Sequence, residues 1–189
     1  EAIYGAQMVA AMESLAFVET DINKIIEESK KYIPNNSLIY KLIGELQNMR
    51  AGNNDWMQAR EFQAETYGYD KYLGGCHMIP NHAIIILSLL FGDDDLQKTL
   101  MIVNTAGHDT DCNSGNVGCI MGVKNGLEGL RNGPDYLTPI QDRMYCPTAN
   151  GGETQTDALT EAYKVINTAK KMNKEETVEP KNGSRFHFE

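Results

Sequence analysis

Apolar residues recur at helical spacing along most of the chain, and the breaks between repeats fall at Gly, Pro, Asn and Asp. Ile3, Met8, Met12 and Leu15, with alanines between them, predict a closely packed helix over 3–18. Asp21 can cap a second helix, in which Ile22, Ile25, Ile26 and Tyr32 repeat up to the stop at Pro34. Asn36 or Ser37 caps a third, with Leu38, Leu42, Ile43 and Leu46 as its stripe. Asp55 starts a fourth through Trp56, Ala59, Phe62 and Ala64. The charged pairs Glu27-Glu28 and Lys30-Lys31 read as solvated faces of this scaffold.

The second half is less uniform. Residues 83–91 are apolar nearly all round, which predicts a central buried helix with Pro80 in its first turn and Gly92 at its end. Asp93, Asp94 and Asp95 read as the acidic start of a helix carrying Leu96, Leu100 and Val103. A later helix holds Gly118, Gly122 and Gly126 at four-residue spacing. Each costs ~1 kcal/mol relative to Ala, so the ridge predicts close approach of another backbone, locking the preceding loop against the core. Residues 129–152 are too irregular to assign. Thr156 or Asp157 starts a last helix through Leu159, Ala162, Tyr163, Ile166 and Ala169. The expected architecture is all-α, a compact multi-helix bundle over 1–172. Residues 173–189 then form a linker and, from Ser184, the first strand of a β-rich neighbour.

Composition narrows the function. At 189 residues the chain is long enough for one sizeable core. A net charge of -9 argues against binding a phosphate backbone. No apolar run approaches the ~20 residues that span a bilayer, so no membrane role is expected. The 4 cysteines, Cys76, Cys112, Cys119 and Cys146, form no C-x-x-C pair. They suit reduced thiols and favour a cytoplasmic setting.

Two loops carry the candidate chemistry. Residues 67–80 combine Gly68, Gly74 and Gly75 with Tyr67, Tyr69, Tyr72, Cys76 and His77, a composition common at ligand sites and equally that of a long surface connection. His77 reads as a ligand, an acid or base, or a core histidine. Cys76 and His77 are adjacent and so point apart, which disfavours a catalytic pair. Residues 104–116 hold Asp109 and Asp111 one residue apart, with Thr110, Asn113 and Ser114 adding oxygens. Such carboxylates repel unless a positive group neutralises them, and a hard divalent cation suits them. The competing reading is an Asp-rich N-cap, in which Asp111 or Asn113 accepts backbone N–H bonds. The spacing matches half of a helix–loop–helix Ca²⁺ site, but Ser114 and Ile120 stand where Gly and Glu are needed. Zinc spacing and a dinucleotide-binding glycine pattern are absent.

Gly107-His108-Asp109-Thr110-Asp111-Cys112-Asn113, followed by a small-residue helix, resembles the C-terminal signature of the ADP-ribosylglycohydrolases. Residues 3–8 with 16–18, Tyr32-Ile33-Pro34, the 75–81 loop, and Asn150-Gly151-Gly152 with Thr156-Asp157-Ala158 are also similar to that family, over about 1–170. The resemblance implies an all-α fold with two Mg²⁺ ions at the base of a cleft, where the metals position the ribose. Water then cleaves the bond from its anomeric carbon to a modified side chain, so the partner is an ADP-ribosylated protein or a small ADP-ribosyl substrate. Asp109 and Asp111 would be metal ligands. Cys112 stands where the family carries Thr or Ser, and its thiol is a poor Mg²⁺ ligand. His77, Asn81, Gly107, His108 and Asn113 would line the substrate cleft.

The family's Thr-Asp-Asp cluster and acidic catalytic residue have no counterpart before Asp109. That predicts half of a dinuclear site in a C-terminal portion that is inactive alone, since half a site binds Mg²⁺ weakly and glycosidic cleavage needs a placed carboxylate. Two further readings stand beside it: a non-catalytic domain that binds ADP-ribose or another nucleotide sugar, and a structural helical segment of a larger protein.

Overall fold

The computed structural model describes residues 1–72, 74–141, 143–145, 149 and 154–179. The chain divides into two units, Glu1–Pro134 and Asp135–Glu189. The first holds α1 (Ala2–Leu15), α2 (Ile22–Ser29) with a 3₁₀ turn over Lys30–Tyr32, α3 (Leu38–Gly52) and α4 (Trp56–Tyr67). It continues through α5 (Met78–Phe91), α6 (Leu96–Thr105) and α7 (Thr110–Arg131). The second holds the strands β1 (Met144–Tyr145) and β2 (Gln155–Thr156), then α8 (Ala158–Met172). The fold class is all-α, as the periodicity predicts. Among the described residues no helix is long and apolar enough to cross a membrane.

The uniformly apolar run is the axis of the first unit. Every residue of α5 from Ile79 to Phe91 is buried, and α1, α2, α3, α4, α6 and α7 all pack on it. A helix surrounded on all sides can carry apolar residues on all sides, which is why its sequence lacks a polar stripe. Gly5 lets α1 approach: a Cβ there would lie 2.5 Å from Met78 Sδ and 3.2 Å from Ile39 Cδ1.

Helix starts follow local chemistry. Side chains of Asp21, Ser37, Asp55, His77, Asp95 and Asp157 each accept a backbone N–H from the first turn that follows, a bond worth ~1 kcal/mol for the Ser and Asp caps. Asp93 and Asp94, just before α6, are neutralised by cations. Asp93 pairs with Arg50 at 2.8 Å and with Lys98, and Asp94 pairs with Lys124 at 2.7 Å.

Four expectations need correction. First, α1 ends at Leu15, and Phe17 and Val18 lie exposed. Second, Tyr32 is exposed, because the chain tightens into the 3₁₀ turn and rotates it off the apolar face of α2. Third, Lys30 is buried. Its ammonium lies 3.1 Å from Glu27, 3.2 Å from Gln47 Oε1 and 4.6 Å from the Tyr40 ring centre, so the polar tip is paid for by partners while the stem packs. Fourth, the glycine ridge of α7 meets no backbone. A Cβ at Gly118 would touch only Leu100 at 3.8 Å, and Gly122 and Gly126 face open space. Gly126 instead breaks the helix, with φ 61° and ψ -164°.

In the second unit, β1 and β2 pair antiparallel, Met144 opposite Thr156 and Tyr145 opposite Gln155. Asp157 caps α8, and no residue of α8 is buried. The strand expected from Ser184, the Asn150-Gly151-Gly152 segment and Cys146 lie outside the described residues.

Candidate functional site

The Asp109 loop is a reversal between α6 and α7. Gly107 and His108 both take left-handed backbone, φ 86° and 65°, and these two consecutive residues turn the chain into α7. Glycine adopts this conformation freely and histidine only at a cost, so the surroundings must hold His108. They do. Its ring lies on Tyr69 with centroids 4.2 Å apart, and Arg60 of α4 donates to the Ala106 carbonyl and approaches His108 Nε2 at 3.5 Å. Burial, then the Arg60 charge, push the His108 imidazole below its ordinary range.

Asn81, on the first turns of α5, ties the two candidate loops together. Its Nδ2 donates to Tyr69 Oη at 2.6 Å and to the His77 carbonyl at 3.0 Å. Its Oδ1 accepts from the Asp109 backbone N–H at 3.3 Å and from Asn113 Nδ2 at 2.9 Å. With two hydrogens and two lone pairs engaged, the amide has no capacity left over. Asn81 therefore sets where α7 begins.

Asp109 is the N-cap of α7 by position, yet its side chain makes no capping bond. Asn113, nearly fully buried, spends its amide on Asn81. Asp109 thus gives the capping explanation no bond, while Asp111 does stand in the first turn of α7, where the helix dipole favours a carboxylate. Ligand atoms of Asp109, Asp111 and Cys112 lie within 4.8 Å of one another, the one such cluster of three potential metal ligands among the described residues. The bond with the Asp111 carboxyl, then the Cys76 and Cys112 thiols, hold the Asp109 carboxyl below the usual carboxylate range. Hydrogen bonding to Asp109, and next its charge, raise both thiols above theirs. Two protonated thiols, from the 67–80 loop and from α7, thus converge on one carboxylate.

The donor set can be tested against Mg²⁺. Asp109 and Asp111 offer the hard oxygens that ion prefers, and both carboxylates are free of cationic side chains among the described residues. Cys112 does not fit, since its thiol is soft and held protonated.

Beside this cluster a cleft of about 430 Å³ opens between α1 and α7. Gly5, Ala6, Val9, Ala10 and Glu13 form one wall, and Asp109, Cys112, Asn113 and Asn116 the other. Met78, Asn81, His82 and Ile85, one face of α5, form its floor, and Cys76 closes an end. The α1 wall is small or apolar except for Glu13 and the α7 wall carries the polar groups, so apolar surface faces convergent polar side chains, as in small-molecule sites.

Sequence reasoning brought some of these residues together and missed others. Asp109, Asp111, Cys112, Asn113 and Asn81 share the site. Gly107 and His108 shape the turn behind it. His77 points elsewhere: its Nδ1 caps α5 through the Ile79 N–H at 3.2 Å, and its ring stacks on Tyr72 with centroids 5.0 Å apart. The Cys76–His77 pair is absent, as adjacency implied. Arg60, Glu13 and His82 were not foreseen, and Tyr69 was named only among the aromatics of the 67–80 loop. Arg60 and Tyr69 act across the tertiary fold, and His82 was hidden inside the most apolar helix of the chain.

A family model described as ADP-ribosylglycohydrolase matches residues 1–172. The chain belongs to the ADP-ribosylglycohydrolase family. Comparison with curated proteins and with solved structures gave no match. The family assignment agrees with the helical fold and covers the Asp109 loop, the cleft and α8. Its activity class is glycosidic-bond hydrolysis on ADP-ribosyl groups, and that sets the chemistry against which the cleft is read.

Proposed function

We propose that this chain carries the C-terminal, metal-binding part of a divalent-cation-dependent ADP-ribosyl hydrolase. In this reading it cleaves the bond between the anomeric carbon of ADP-ribose and a modified side chain. The observation that supports it is the pair Asp109 and Asp111, unneutralised by cationic side chains among the described residues, with Asp109 on one wall of the cleft. Asp109 and Asp111 would hold Mg²⁺ through oxygen. When bound, that ion supplies positive charge that orients ribose oxygens and stabilises negative charge as the glycosidic bond breaks. The protein's own contribution is positional. Asn81 fixes the start of α7, Tyr69 and Arg60 hold the Gly107–His108 reversal, and the small wall of α1 admits the ligand.

Hydrolysis of ADP-ribosyl-arginine and ADP-ribosyl-serine by the full-length parent protein, with Mg²⁺ added or chelated, tests this. Asp109→Ala should lower the rate by about a hundredfold or more; unchanged turnover would remove Asp109 from the role given to it.

The protonated Cys112 thiol, set where the family carries a hydroxyl ligand, favours one second reading: a domain that binds ADP-ribose without hydrolysing it. Calorimetric binding that is tight, independent of metal and unaccompanied by product would select that reading.

A further inference from the structure

His82 lines the cleft, and the reading above leaves its chemistry unused. It sits on the floor among Met78, Asn81 and Ile85. Its side chain is fully buried, and neither Nδ1 nor Nε2 has a hydrogen-bond partner. A buried donor and acceptor left unmade cost about 1–3 kcal/mol each. Its neighbours there are partnered: Asn81 makes four hydrogen bonds, and Asn113 and Asn116 each donate one through Nδ2. Leucine or isoleucine, which flank this position through most of α5, would fill it at no such cost. An uncompensated polar group inside an otherwise ideal apolar helix, at the base of a ligand-sized cleft, is the mark of a partner that arrives from outside.

We propose that His82 is a ligand-reading residue at the cleft floor. One of its ring nitrogens makes a hydrogen bond with a hydroxyl of a bound ribose. This rests on the proposed ADP-ribose reading of the cleft. Burial keeps the ring neutral at ordinary pH, so that nitrogen meets the hydroxyl, itself donor and acceptor, in either tautomer. The Met78 thioether, on the same face of α5 and packed on Gly5, is the flexible group that yields as the ligand settles.

The test compares wild-type protein, His82→Leu and His82→Gln by calorimetric titration with ADP-ribose and by thermal melting. His82→Leu removes two unpaired nitrogens, so its Tm should equal or exceed that of wild type, while its affinity for ADP-ribose falls about tenfold or more. His82→Gln, which keeps a donor and an acceptor, should recover part of that affinity. Stability and binding moving in opposite directions is the signature, because a purely structural histidine would lose both together. Wild-type affinity in His82→Leu, or parallel losses of Tm and affinity in both variants, overturns the inference and leaves the ADP-ribose reading intact. If wild-type protein itself gives no binding, the ADP-ribose reading falls, and the role of His82 with it. Should His82→Leu not fold, His82→Asn, which shortens the reach, is judged by the same criteria.

Discussion

Two clusters of aspartates sit at the starts of consecutive helices, and they behave in opposite ways. Before α6, Asp93 meets Arg50 and Lys98, Asp94 meets Lys124, and Asp95 caps the helix through the Lys98 N–H. Before α7, Asp109 leaves its capping position unused, and among the described residues it and Asp111 face only each other and two thiols. The sequences look alike. What separates a structural acidic cluster from a candidate metal centre is the supply of cations from elsewhere in the fold: α3, α6 and α7 send Arg50, Lys98 and Lys124 to the first, and among the described residues none reaches the second. Carboxylates held this close repel each other unless a proton or a cation lies between them.

The largest expected effect lies in activity. Asp109→Ala or Asp111→Ala should lower ADP-ribosyl hydrolysis by about a hundredfold or more, whereas Asp94→Ala should stay within a factor of about two in the same steady-state assay. Equal losses at the two clusters would erase the distinction. Next comes acid stability, which shows whether the core or the carboxylates respond first. The His82 ring is held at about 4 in the fold, below its ordinary 6.5. The unfolded chain therefore binds the proton first, and stability contributed by the neutral ring is fully present above pH 6.5 and lost as pH falls toward 4. The loss is on the order of 3 kcal/mol. Denaturant melts across that range should show it in wild type and not in His82→Leu.

Metal linkage is of similar size. Mg²⁺ at a hundredfold excess over its Kd should stabilise the fold by about 2.7 kcal/mol. Asp111→Asn should abolish that gain and Asp94→Asn should keep it, as read by Tm with and without Mg²⁺. The smallest effect is in the metal-free protein. Asp94→Ala leaves the nearly buried Lys124 ammonium with Asn125 Oδ1 and no counter-charge and should cost about 1 kcal/mol, while Asp111→Asn relieves repulsion and should raise Tm slightly. A fall in Tm for both variants would mean that the second cluster has a neutralising partner too.

What the sequence made legible is what depends on neighbours along the chain. The run through Ile84, Ile85 and Ile86 marked α5 as central because burial on all sides needs no polar stripe. Asp21, Ser37, Asp55, Asp95 and Asp157 announced helix starts because a cap acts within one turn. The Asp109 motif stood out for the same reason, its two carboxylates being almost adjacent. What stayed hidden depends on distant elements. Nothing near Arg60 says that its guanidinium supports Ala106, and nothing near Lys30 says that Gln47 and Tyr40 will enclose it. The glycines of α7 misled because their spacing was read as a contact, whereas two face open space and Gly126 serves as a break.

The amide of Asn81 carries a last consequence. Its acceptor side meets two donors belonging to α7, and its donor side meets Tyr69 and the His77 carbonyl. A half-turn of the amide about its own bond would set N–H against N–H on one side and oxygen against a carbonyl on the other, so only one orientation is tolerated. The position of the α7 start is thus written as polarity, not as shape. A leucine of the same size would fill the space and erase the address, and an aspartate would keep half of it while adding a third negative charge to the two already there.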